Sequence, residues 1–193
     1  PAFADREFGG DVYCLAFGPA GTPVAGHLAA ASYDGHVRLY SPEGHRLAKA
    51  KTPGGERPYG IAFSPDGCVL AVGYEDVLRV DLLDAGTLRA VGSADVTGLS
   101  GGNLGRVAFL IPVSPGVAPR LAAGGYHSTP AGERPIFVWA DAGCGIRNAW
   151  PGSGNTIMDL APLPDGTLAF GAGEPALGLL DTAGRRTFFR GPA

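Results

Sequence analysis

An all-β fold is what this sequence predicts, and three observations carry that reading. Gly 32 and Pro 17 punctuate short apolar runs throughout the 193 residues, and both residues set turns, because Pro presets φ and Gly accepts φ > 0. No window sustains apolar residues at i, i+3, i+4 and i+7 without Gly or Pro inside it, so amphipathic helices are not expected. One turn signature recurs: Ser64-Pro65-Asp66-Gly67 and Leu163-Pro164-Asp165-Gly166, with shorter relatives at Pro19 to Gly21 and Ser114 to Gly116. A hydrophobic content of 45% makes the Gly and Pro turn residues and not a sign of disorder.

The turns belong to a long repeat. Phe17, Phe63 and Phe109 occupy matching positions 46 residues apart, and the fourth copy, Leu160-Ala161-Pro162, follows 53 residues on. A period of this length with several strands per copy is that of a β-propeller blade, and is too long for a leucine-rich or hexapeptide solenoid. The first copy reads as strands at Val12 to Phe17, Leu28 to Ser32, Val37 to Tyr40 and Arg46 to Lys51. The second reads as Gly60 to Phe63, Val69 to Gly73, Leu78 to Leu82 and Leu88 to Gly92. In the third they fall at Arg106 to Ile111, Leu121 to Gly125, Ile136 to Trp139 and Ile146 to Trp150. The fourth runs Ile157 to Ala161, Leu168 to Gly171, Leu177 to Leu180 and Arg186 to Arg190. The last strand of each copy is the least apolar, as suits a sheet edge that must resist stray pairing. The expected fold is thus a β-propeller of about four blades, each of four antiparallel strands.

With the Ser-Pro-Asp-Gly turns, the run Ser32-Tyr33-Asp34-Gly35-His36-Val37-Arg38-Leu39-Tyr40 and Val138-Trp139 at the end of a third strand, the chain resembles the WD40-repeat family over essentially its whole length. The Gly-His dipeptide of that family is missing before every first strand. Its Trp-Asp pair survives only in halves, as Trp139-Ala140, Val80-Asp81 and Leu180-Asp181. Propellers with YVTN or NHL repeats share the turn. Residues 1–8 have the position of an outer strand of a preceding blade, followed by blades at 9–53, 54–97, 98–152 and 153–193. Four blades plus an orphan strand suggest an arc of a larger propeller, completed by remaining blades of the same parent chain or by a second copy.

Composition narrows the function classes. A formal net charge of −3, with 15 scattered Lys and Arg residues, supplies no basic stripe for a phosphate backbone, so nucleic acid is not expected as a partner. Neither a membrane span nor a secretory leader is apparent, and a cytoplasmic location is expected. Cys14, Cys68 and Cys144 match neither a redox pair nor zinc spacing and read as three buried thiols in a reducing compartment. Richness in Ala, Gly, Pro and Arg fits a GC-rich bacterial genome.

The resemblance implies that one face carries the links between blades and between each blade's second and third strands, and that ligands bind there. Blade three departs from its neighbours with two long, adjacent links, Thr97 to Gly105 and Tyr126 to Pro135. Extended loops on a rigid scaffold are where binding residues concentrate. Asn103, Arg106, Tyr126, His127, Glu133 and Arg134 are therefore the expected recognition cluster; Tyr33, Tyr59 and Tyr74 recur near the same rim. Gly101-Gly102-Asn103-Leu104-Gly105 lacks the P-loop pattern and a following helix. No nucleophile motif is present, and His27, His36, His45 and His127 belong to no metal signature. The expectation is a non-catalytic interaction scaffold or sensor module of a larger protein, binding a protein or peptide, with no cofactor or metal. The alternative is a metal-dependent lactonase or hydrolase using Asp34, Glu75, Asp76 and Glu174 around the channel.

Overall fold

The computed structural model describes residues 4–114 and 116–191. Four antiparallel sheets of four strands each follow one another along the chain. The first holds β1 (Val12–Phe17), β2 (Leu28–Ser32), β3 (His36–Tyr40) and β4 (Arg46–Lys51). The second holds β5 (Pro58–Phe63), β6 (Val69–Tyr74), β7 (Val80–Asp84) and β8 (Ala90–Ser93). The third holds β9 (Arg106–Leu110), β10 (Arg120–Gly124), β11 (Arg134–Trp139) and β12 (Arg147–Ser153), with a 3₁₀ turn at Asp141–Gly143. The fourth holds β13 (Ile157–Pro162), β14 (Leu168–Ala172), β15 (Ala176–Leu180) and β16 (Arg186–Arg190). The inner strands β1, β5, β9 and β13 lie side by side in that order, which is a β-propeller arrangement of four blades.

Fifteen of the sixteen expected strands fall within two residues of the observed ones, and the last strand of blade three, expected to end at Trp150, runs on to Ser153. The third strand of blade two starts later than expected, at Val80, because the turn after Tyr74 is longer and closes with Arg79 N donating to Val77 O at 3.0 Å. The strand after it starts later as well, since Asp84 caps the next turn by accepting from Thr87 N at 2.9 Å. Of the expected outer strand at 1–8, Pro1 to Phe3 lie outside the described residues, as do Pro115 of the Ser114 to Gly116 turn and residues 192–193 of blade four. Residues 4–9 form no strand. They lie against blade one, where Asp5 accepts from Tyr40 Oη at 2.7 Å and Arg46 at 3.1 Å and Phe8 stacks 4.0 Å from the Arg38 guanidinium.

Each blade junction is built by one rule. The strand-one Ala of one blade packs against large side chains of the next: Ala16 meets the cluster of Ile61, Phe63 and Leu70, and Ala62 that of Val107, Phe109 and Leu121. Ala108 in turn meets Ile157, Leu160 and Phe170. Small faces large because splayed sheets touch most closely at their inner strands, where two large layers would not fit at native density. Trp139 is fully buried and donates from Nε1 to Asp95 O at 2.9 Å, a packing role for the indole with its one donor satisfied.

The cysteines correct the sequence reading. Cys14 is half-buried, and Cys68 and Cys144 are exposed, because both of the latter sit beside turns and not on the inward face of a strand.

Candidate functional site

The first-to-second-blade rim is set by the turn at Ser32 to His36. Gly35 adopts φ +77°, and Asp34 turns inward to accept from Arg38 Nη1 at 3.1 Å and from Gly9 N at 3.0 Å. Arg38 is fully buried. Burial pushes the Asp34 carboxyl up, but the Arg38 guanidinium and the Gly9 amide outweigh it and hold the group well below the usual carboxylate range. This knot holds the turn, and Tyr33 stands beside it on the rim. There Tyr33 stacks on Tyr13 with ring centroids 4.0 Å apart, and Tyr59 of β5 lies 5.4 Å from Tyr13 and 6.2 Å from Tyr33.

Two arginines bracket the three rings. The Arg57 guanidinium lies 5.8 Å from the Tyr33 ring and pairs with Glu75 at 3.1 Å. Arg106 lies 4.2 Å over Tyr59 and donates to its hydroxyl at 2.9 Å. Burial, with Glu75 and the two neighbouring phenols adding to it, pushes the Tyr33 hydroxyl up to about 12. The Tyr33 hydroxyl therefore stays a neutral donor across the physiological range.

Blade three holds its loops by backbone contact. A Cβ on Gly102, whose φ is +73°, would fall 2.5 Å from His127 Cα, and one on Gly125 2.4 Å from Asn103 Oδ1. Only Gly permits that approach. Asn103 then ties two blades together: its Nδ2 donates to Glu75 O at 2.7 Å, and its Oδ1 accepts from Tyr126 N at 2.9 Å. Its amide is spent on positioning.

The six expected recognition residues do not form one cluster, because neighbouring backbone positions at 126 and 127 point their side chains to opposite sides. Asn103, Arg106 and Tyr126 line a cavity of about 470 Å³ near the inner strands, with Tyr59, Glu75 and Met158. His127 and Glu133 line a separate groove of about 840 Å³, walled by Phe137, Trp150 and Phe189. His127 is buried and its Nδ1 lies 2.9 Å from Gly101 O. Glu133 is exposed at the end of a turn, its N–H donating to Thr129 Oγ1 at 3.3 Å. Arg134 lies 4.9 Å from the Tyr126 ring. Tyr13 was missed by sequence reasoning; its match to Tyr59 at the 46-residue period is the signal that finds it.

The carboxylates near the second-to-third-strand turns do not converge. Asp34 is bound to Arg38, Glu75 to Arg57, and Asp76 caps Glu56 N and Arg57 N at 2.9 and 3.2 Å. Among the described residues no three His, Cys, Asp or Glu side chains gather as metal ligands. Likewise, among them, no helix is long and apolar enough to cross a membrane.

Comparison with known proteins agrees with the geometry. The WD domain, G-beta repeat family matches residues 6–41, a span that runs from the segment preceding β1 to just past the end of β3. No curated protein matches the chain. The repeat match and the four blades of four antiparallel strands together make this chain a WD40-like β-propeller.

Proposed function

We propose that the chain is a non-catalytic interaction module, a scaffold or sensor within a larger protein, that binds a protein or peptide partner on the tyrosine and arginine rim of blades one to three. The observation that carries this reading is the ladder Arg57, Tyr33, Tyr13, Tyr59, Arg106, continuous through ring contacts of 4.0 to 6.2 Å. Tyr and Arg supply large contact area and directional donors for little lost conformational freedom, and they dominate binding hot spots. Tyr13 is 44% exposed and Tyr33 and Tyr59 are half-buried beside it, so the ladder presents part of its ring surface to solvent while the blades position it.

Selection of random dodecapeptides displayed on phage against the immobilised chain tests this. Binders are expected to lose at least tenfold in affinity on Tyr33→Ala or Tyr59→Ala and to be indifferent to Arg185→Ala, whose side chain pairs with Asp181 on blade four. Binders unaffected by both tyrosine substitutions overturn the rim as the binding surface.

A further inference from the structure

We infer that the cavity between the inner strands of blades two and three is a carboxylate subsite, which takes a glutamate or aspartate side chain of the bound segment on Arg106. This rests on the rim being the binding surface and names the chemistry of one of its pockets.

The assignment follows from which polar groups around the cavity are already occupied. Asn103 spends its amide on Glu75 O and Tyr126 N. The Glu75 carboxylate is drawn to Arg57 at 3.1 Å, which compensates its charge. The Tyr59 hydroxyl accepts from Arg106 at 2.9 Å. Arg106 itself is different. Among the described residues no carboxylate lies within ion-pairing distance of it, and its buried Nε meets no acceptor. A buried donor left unpaired is unfavourable, and such a group is a feature that calls for a partner. The Tyr59 ring and hydroxyl fix the guanidinium plane in advance, so little freedom remains to be lost when a planar carboxylate pairs with its free edge.

The shape suits an acidic side chain on a peptide. The cavity of about 470 Å³ has a glycine lining at Gly102, Gly105 and Gly125 that lets a ligand approach the backbone, and walls from Tyr126 and Met158 that cover an aliphatic stem. Arg134, stacked at 4.9 Å on Tyr126, has its own Nε unpaired and adds a second positive charge beside the same wall. The larger groove of about 840 Å³ does not share this property: its cation Arg186 donates to Gly152 O at 2.5 Å and, among the described residues, has no orphaned buried nitrogen.

The test uses N-acetyl-glutamate amide, with N-acetyl-glutamine amide as its neutral match, titrated into the folded chain while the arginine Nε–Hε resonances are followed by NMR. The glutamate probe is expected to shift the Arg106 resonance saturably, at least tenfold more tightly than the glutamine probe, and to weaken as salt rises from roughly 50 to roughly 300 mM. In Arg106→Gln, which keeps a polar side chain at the site, the preference for glutamate falls to within twofold while the backbone amide spectrum stays dispersed; Arg106→Lys retains part of it. Equal binding of both probes, or a shift at other arginines with Arg106 unmoved, overturns the subsite. The two readings fail separately. Selected peptides that need Tyr33 but show no loss when each of their acidic residues is replaced by its amide overturn the subsite alone, whereas a glutamate probe bound at Arg106 beside peptides indifferent to Tyr33 overturns the rim alone.

Discussion

Asp34 joins three parts of blade one through a single carboxylate. Its oxygens close the turn before β3, bind the chain leading into β1 through Gly9 N and neutralise the fully buried Arg38. Asp34→Asn leaves Arg38 buried without its counter-charge, and breaking a pair in this way costs on the order of 3 kcal/mol. The pH dependence has a definite sign. The folded-state carboxyl titrates below the ordinary value, so its contribution is complete above about pH 4, the unfolded value, and is lost as pH falls through the folded one. Urea denaturation between about pH 2 and 6 should show the wild type losing stability with acid faster than Asp34→Asn, with the two curves converging at the acid end. Parallel curves would exclude Asp34 as the titrating group.

At the scale of the element, the link at residues 97–105 is a strut as much as a loop. Gly102 lets it press on the 126–127 backbone, and Asn103 bridges the turns of blades two and three. Asn103→Ala leaves Glu75 O and Tyr126 N without these partners and should cost about 2 kcal/mol. The loss should be local. Hydrogen exchange is expected to speed up at Tyr126 and His127 while β2 and β3 keep their protection, and uniform loss across all blades would contradict the strut. The glycine run that invites a phosphate-loop reading is explained by this close backbone packing, a cause that spacing along the chain does not reveal.

At the scale of the whole molecule, repeat equivalence and structural equivalence part company. Phe17, Phe63 and Phe109 are interchangeable by sequence period, yet Phe63 and Phe109 are buried at blade junctions, 8% and 4% exposed, while Phe17 is 71% exposed on the outward face of blade one. Leu15 on the same strand is 58% exposed, and Leu177 on blade four 51%. Phe63→Ala should therefore cost about 3–5 kcal/mol, the range for emptying an aromatic core site, whereas Phe17→Ala should change stability by no more than about 0.5 kcal/mol. Thermal denaturation of the two variants compares them directly; a large loss in Phe17→Ala would mean that its outward face is covered in solution.

The all-β class, the four repeats and nearly every strand are legible along the chain, because turn chemistry and period-two alternation are local, and the 46-residue spacing copies them from blade to blade. The sequence also places Arg106 and Tyr126 at the rim. That Tyr126 and His127 serve different cavities, that Tyr13 joins Tyr33 and Tyr59, and that Asn103 is a strut emerges from packing in three dimensions. Those facts depend on which side chains meet across blade junctions, where residues 20 to 50 positions apart are brought together by packing, and no local pattern encodes such a meeting.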